Sequence, residues 1–67
     1  MKKIPQDPAM CVSFVNTQLR DGFSDLDEFC REFEIERAGL EDKLSEAGYA
    51  YDRAVNRFVL SRAGRPG

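Results

Sequence analysis

The sequence predicts a mainly helical α+β domain: three helices in a helix-turn-helix arrangement, closed by a C-terminal β-hairpin. In outline this is a miniature winged helix. Three observations predict it. Apolar residues recur at helical spacing in three blocks before Gly48. Turn and cap residues punctuate those blocks at Asp7–Pro8, Gly22–Ser24 and Glu34–Glu36. After Gly48 the apolar period drops from about 3.6 to about 2, the rhythm of paired strands.

The first helix starts at Asp7–Pro8, a capping carboxylate followed by proline at the first helical position. Before it, the Ile4–Pro5 step is extended, because proline pushes its predecessor out of the helical region. Met10, Cys11, Phe14, Val15 and Leu19 share the expected buried face, and Gly22 is the expected left-handed cap. Ser24 is placed at the start of the second helix, with Asp27 completing a weak capping box. Leu26, Phe29, Cys30 and Phe33 form its apolar stripe.

A tight turn at Glu34–Ile35–Glu36 leads to the third helix, expected from about Glu36 to Ala47. Ile35, Leu40, Leu44 and Ala47 should face inward. Gly39 sits inside this helix and costs it roughly 1 kcal/mol relative to alanine. In the segment "YAYDRAVNRFVL", pairing Tyr51 with Phe58 and Tyr49 with Leu60 puts four large side chains on one face. A lone hairpin is marginal in water, so that face should cover the helices. Ile4 is a candidate third, short strand beside the hairpin. The reading is one small domain over 1–60 and a disordered tail over 61–67.

Sixty-seven residues bury only roughly 60% of their unfolded surface, so stability should be small. Two cysteines and no histidine cannot assemble the usual zinc sets, and no cofactor is expected. Charge is uneven. Residues 21–48 hold ten acids and three bases; the ends are basic, with Lys2, Lys3 and Arg20 before them and Arg53, Arg57, Arg62 and Arg65 after. An acidic middle argues against non-specific nucleic-acid binding by the whole surface. Pro5, Asp7 and Pro8 interrupt any signal-peptide core, and no stretch approaches the roughly 20 apolar residues that span a membrane. The expected compartment is the cytoplasm, with Cys11 and Cys30 reduced.

The stretches "IPQDPAMCVSFVNTQLRDGFSDLDEFC", "LEDKLSEAGYAYD" and "NRF" resemble a family of short bacterial proteins known as domain of unknown function 4250. The resemblance runs over roughly residues 4–58 and implies no activity, cofactor or partner. Phe29 stands where the family has leucine, which keeps the core apolar. Glu36 and Gly39 stand where it has a better cap and a better helix former.

Chemistry by side chains finds little footing. Cys11 and Cys30 lie on apolar faces, where free cysteine packs as a small hydrophobe. No Ser-His or Cys-His pair can activate a nucleophile, and Asp25, Asp27, Glu28 and Glu32 read as a solvated helix face. The chain is therefore not expected to be an enzyme or to take a small-molecule substrate. Ser13, Asn16, Thr17 and Arg20 form a polar strip on the first helix. Asn16 and Arg20 are expected to make caps and turn contacts to the neighbouring helix, with a binding surface as the competing reading. On the third helix the outward positions Arg37, Ala38, Glu41, Asp42 and Ser45 set one base against two acids. Base readout needs donors such as Arg, Lys, Asn or Gln between neutralised phosphates, so groove insertion would be repulsive. The hairpin differs, because Arg53 and Arg57, with Arg62 and Arg65 of the tail, make a basic edge.

The sequence therefore points to a small non-enzymatic protein-interaction module, with regulation among its candidate roles. Its partner is another protein or a second copy. The rival is a nucleic-acid-binding protein that uses its basic hairpin and termini. The candidate surface residues are Asn16, Arg20, Arg37, Glu41, Arg53 and Arg57.

Overall fold

The computed structural model describes residues 3–61. The expected disordered tail after Ser61, with Arg62 and Arg65, lies outside them, as does Lys2. Three helices, α1 (Pro8–Gly22), α2 (Leu26–Phe33) and α3 (Arg37–Ser45), precede two strands, β1 (Tyr49–Asp52) and β2 (Arg57–Leu60). The strands form an antiparallel hairpin in the expected register, Tyr51 opposite Phe58 and Tyr49 opposite Leu60.

Each boundary has a local cause. Asp7 caps α1, its Oδ2 accepting from the Met10 amide at 3.1 Å, and proline occupies the first turn. The expected left-handed cap at Gly22 does not form: Gly22 ends the helix and the chain leaves through an extended Phe23, φ −129°. The N-cap of α2 is Asp25, one residue beyond Ser24, and its Oδ1 accepts from the Glu28 amide at 2.8 Å. Ser24 donates its amide and hydroxyl to Glu28 Oε1, so Glu28 replaces Asp27 in the expected box. Glu34 closes α2 in the left-handed region at φ 56°, and its amide donates to Arg31 and Cys30 carbonyls. Helix α3 opens at Glu36 without a side-chain cap bond, as its sequence led one to expect. At Gly48 the backbone turns at φ 91°, a region that favours glycine.

Every element supplies the core except β1, which packs against it. Cys11, Val15 and Leu19 from α1 meet Leu26, Phe29 and Cys30 from α2, Leu40 and Leu44 from α3, and Phe58 from β2. Phe14, Phe23 and Phe33 extend this core outward from Phe29 through edge-on and stacked ring contacts. The hairpin is part of this core, since Phe58 is only 2% exposed and Tyr49 and Tyr51 pack beside it.

Four expectations about individual side chains fail. Met10 is 63% exposed while Val12 is buried, because hairpin attachment through Asn16 draws the i, i+4 row Val12–Asn16 inward. That rotation turns the Met10 flank outward. Ala47 is exposed, beyond the end of α3 at Ser45. Leu60 sits at the open end of the hairpin, over Gly48, and remains 68% exposed. Ile4 packs on the core in no strand, and the next residue's carbonyl accepts from Lys43 Nζ of α3 at 3.4 Å. Beside β2 stands the side chain of Asn16 instead. Ser61, expected in the tail, continues the ladder: its amide donates to the Gly48 carbonyl at 2.8 Å.

Candidate interaction surface

The α1–hairpin side is built on three polar side chains. Asn16 faces β2 with both ends of its carboxamide. Its Nδ2 donates to the Phe58 carbonyl at 3.0 Å, and its Oδ1 accepts from the Phe58 amide at 2.7 Å. Both backbone groups of Phe58 therefore point away from β1, and the asparagine supplies what a third strand would otherwise supply. A carboxamide suits this task because it carries a donor and an acceptor side by side. The strand edge, with its unpaired amide and carbonyl, is closed at its middle.

Asn56 does similar work at the turn. It takes the left-handed conformation, φ 55°, which asparagine tolerates better than most residues. Its Nδ2 donates to the carbonyls of Phe23 at 3.1 Å and Leu19 at 3.4 Å, at the end of α1. Its Oδ1 accepts from the Tyr51 hydroxyl at 2.6 Å, and that hydroxyl accepts from the Leu26 amide at 3.2 Å. Tyr51 thus satisfies an unpaired amide in the first turn of α2, and one short network joins α1, α2 and the hairpin.

Between α1 and the β1–β2 turn lies a cleft of about 440 Å³, lined by Ser13, Asn16, Thr17, Leu19, Arg20, Val55, Asn56 and Arg57. The structure brings Asn16, Arg20 and Arg57 together here. Asn16 serves as an anchor of β2, and its contact is with a strand where a helix was expected. Arg20 is highly exposed and pairs with its neighbour Asp21 at 3.1 Å. Thr17 Oγ1 donates to the Ser13 carbonyl at 3.0 Å, a local helix contact. Arg57 is exposed on the rim. Arg53 is also exposed, on the hairpin turn, beside the outer cleft of the strands.

Arg37 and Glu41 lie elsewhere, at the α2–α3 corner. The Arg37 guanidinium pairs with Glu41 one turn on and with Asp27 of α2 at 2.9 Å, and stacks 5.4 Å from the Tyr51 ring centre. The hydrogen bonds to Glu41, then to Asp27, push its pKa above the ordinary arginine value. Both cations of α3 are engaged, because Lys43 donates to the Pro5 carbonyl. Ala38, Gly39, Asp42 and Ser45 are what this helix exposes to solvent.

The two thiols are free and buried. Burial pushes both pKa values up; Lys43 offsets this partly at Cys11, and Arg37 partly at Cys30. A raised thiol pKa keeps cysteine in its less nucleophilic form. Among the described residues no cluster of three His, Cys, Asp or Glu is placed to hold a metal ion, and no helix is long and apolar enough to cross a membrane.

Sequence reading missed Tyr51 and Asn56 as members of a polar network. The signal was an asparagine beside a turn and a tyrosine whose hydroxyl must reach a partner when its ring is buried. No curated protein and no solved structure matches the chain. Residues 5–58 match the family described as Domain of unknown function (DUF4250). That span contains both helix caps, the Asn16 clamp and the Tyr51–Asn56 network, and the chain belongs to this family.

Proposed function

We propose that the protein is a small non-enzymatic interaction module that works through protein contacts on its α1–hairpin side. One observation carries this reading: α3 exposes Ala38, Gly39, Asp42 and Ser45 to solvent, and its Arg37 is flanked by the acids Glu41 and Asp27. A helix in this position reads DNA only with free donors aimed at base edges. Here the exposed positions are small or acidic. The buried thiols, whose pKa burial raises, and the exposed carboxylates support a role without catalysis. The outline of a miniature winged helix describes connectivity, and α3 lacks the chemistry of a reading helix.

A second reading has one observation in its favour. Arg53 and Arg57 are both exposed on the hairpin, as a phosphate-touching wing would require. A photo-reactive residue placed at Val55, and separately at Ala38, tests the two readings in the native cell. Cross-linked adducts from Val55 that protease destroys and nuclease leaves intact are expected, with few adducts from Ala38. Nuclease-sensitive adducts, or capture from Ala38 alone, would overturn the proposal.

A further inference from the structure

Two clefts lie side by side on the outer face of α1. The first is the cleft against the β1–β2 turn. The second, about 470 Å³, lies toward the start of the helix between Pro5, Ala9, Met10 and Phe14. Ser13 and Thr17 line both, so the two form one continuous track along the helix. One half is apolar, and the other carries Arg20 and Arg57.

Two further features mark the track. Met10, Val55 and Leu60 are the large apolar side chains left exposed among the described residues, and Met10 and Val55 both line it. The charges are also available. Arg57 makes no ion pair among the described residues, and Arg20 holds only the exposed Asp21 beside it, a pair that is weak in water. Near the end of α1 the carbonyls of Leu19 and Phe23 accept from Asn56, so these two oxygens are not left bare to an incoming carboxylate.

We infer that this track binds an extended acidic peptide segment of a partner, with an apolar side chain seated against Met10 and Phe14 and carboxylates at Arg20 and Arg57. The inference rests on the interaction-module reading and names its partner's chemistry. Spacing follows from the helix. At about 1.5 Å per residue, Arg20 lies about 9–15 Å along α1 from Phe14 and Met10. An extended peptide rises roughly 3.3 Å per residue, so about three to five positions separate its anchor from its acids. Nucleic acid does not suit the apolar half, which offers phosphate no donor row. A second copy offers acids on α2 and α3, but the large side chains beside them, Leu40 and Leu44, are buried.

The probes are a capped heptapeptide, Leu-Phe-Ser-Gly-Ser-Glu-Glu, its reversed sequence, and both with Gln in place of Glu. Binding is read from amide shifts of the labelled protein at low salt. One acidic orientation is expected to shift Ser13, Thr17, Val55 and Arg57, and its Gln form to bind at least about fivefold more weakly. Arg57→Gln should weaken binding about threefold to tenfold. Asp21→Asn, which removes a carboxylate that would repel the peptide's acids beside Arg20, should tighten it about twofold or more. Both variants change exposed side chains, and an unchanged spectrum checks that they stay folded. Absence of binding by either acidic peptide, equal binding of the Gln forms, or no gain from Asp21→Asn would overturn the inference. So would the same shifts appearing on concentrating the protein alone, which would put a second copy in the track. Protein capture from Val55 with no peptide binding sinks this inference and leaves the interaction module standing; loss of both sinks the two together.

Discussion

The α1–hairpin side and the α2–α3 corner both carry dense polar contacts, yet they hold different things. On the first side Asn16 and Asn56 reach backbone groups more than 30 residues away in the chain, closing β2 and the end of α1. Those groups are part-buried, so removing a partner strands an amide or a carbonyl away from water. At the corner, Arg37 joins Asp27 and Glu41 through pairs that are roughly 40–60% exposed on the acidic partners. Water and salt replace such contacts at little cost. Side-chain polarity therefore builds the fold on one side and only decorates it on the other.

The largest expected effect tests whether the hairpin belongs to the core. Phe58→Ala should cost about 3–5 kcal/mol, since the ring is fully buried among residues of all three helices. A domain this small has little more in total. Circular dichroism should then show the helices lost with the strands, whereas Arg57→Ala, on the exposed edge, should leave the thermal melt nearly unchanged.

Next in size is the clamp. Asn16→Ala leaves the Phe58 amide and carbonyl without partners and should cost about 2–4 kcal/mol in a denaturant melt. A loss no larger than that of a surface substitution would erase the contrast between the two sides.

The corner should give small numbers, one of them favourable. Gly39→Ala should stabilise the protein by about 1 kcal/mol, because a Cβ there meets nothing within 4 Å and the backbone stays helical. Arg37→Gln should cost less than about 1 kcal/mol, and the difference from wild type should shrink as salt is raised. A salt-independent loss of several kcal/mol would make the corner a second structural centre.

Much of the fold was legible because local rules produced it. The Asp7–Pro8 start, the three-residue turn before Arg37 and the strand register all follow from spacing within a few residues. Long-range contacts were less legible. Asn16 reads as an exposed polar position on a helix wheel, and nothing near it in the chain names a strand 42 residues on as its partner. Its inward pull also explains why Met10 and Val12 exchanged places. The left-handed position of Glu34 was equally hidden, since a residue with a Cβ there depends on the amide bonds that close α2. Of the candidate surface residues, Arg20 and Arg57 converge on the cleft, Asn16 is spent on β2, and Arg37 and Glu41 are spent on each other.

Native-state hydrogen exchange at the Phe58 amide tests the central claim most directly. That amide bonds to the Asn16 side chain and to no strand backbone, so its protection reports the clamp alone. If the hairpin and helices form one cooperative unit, it opens only when the whole domain unfolds. Its exchange free energy should then equal that of the slowest amides of α1, such as Val15 and Leu19. Exchange several kcal/mol easier than theirs would mean that the hairpin detaches by itself, and would contradict the account.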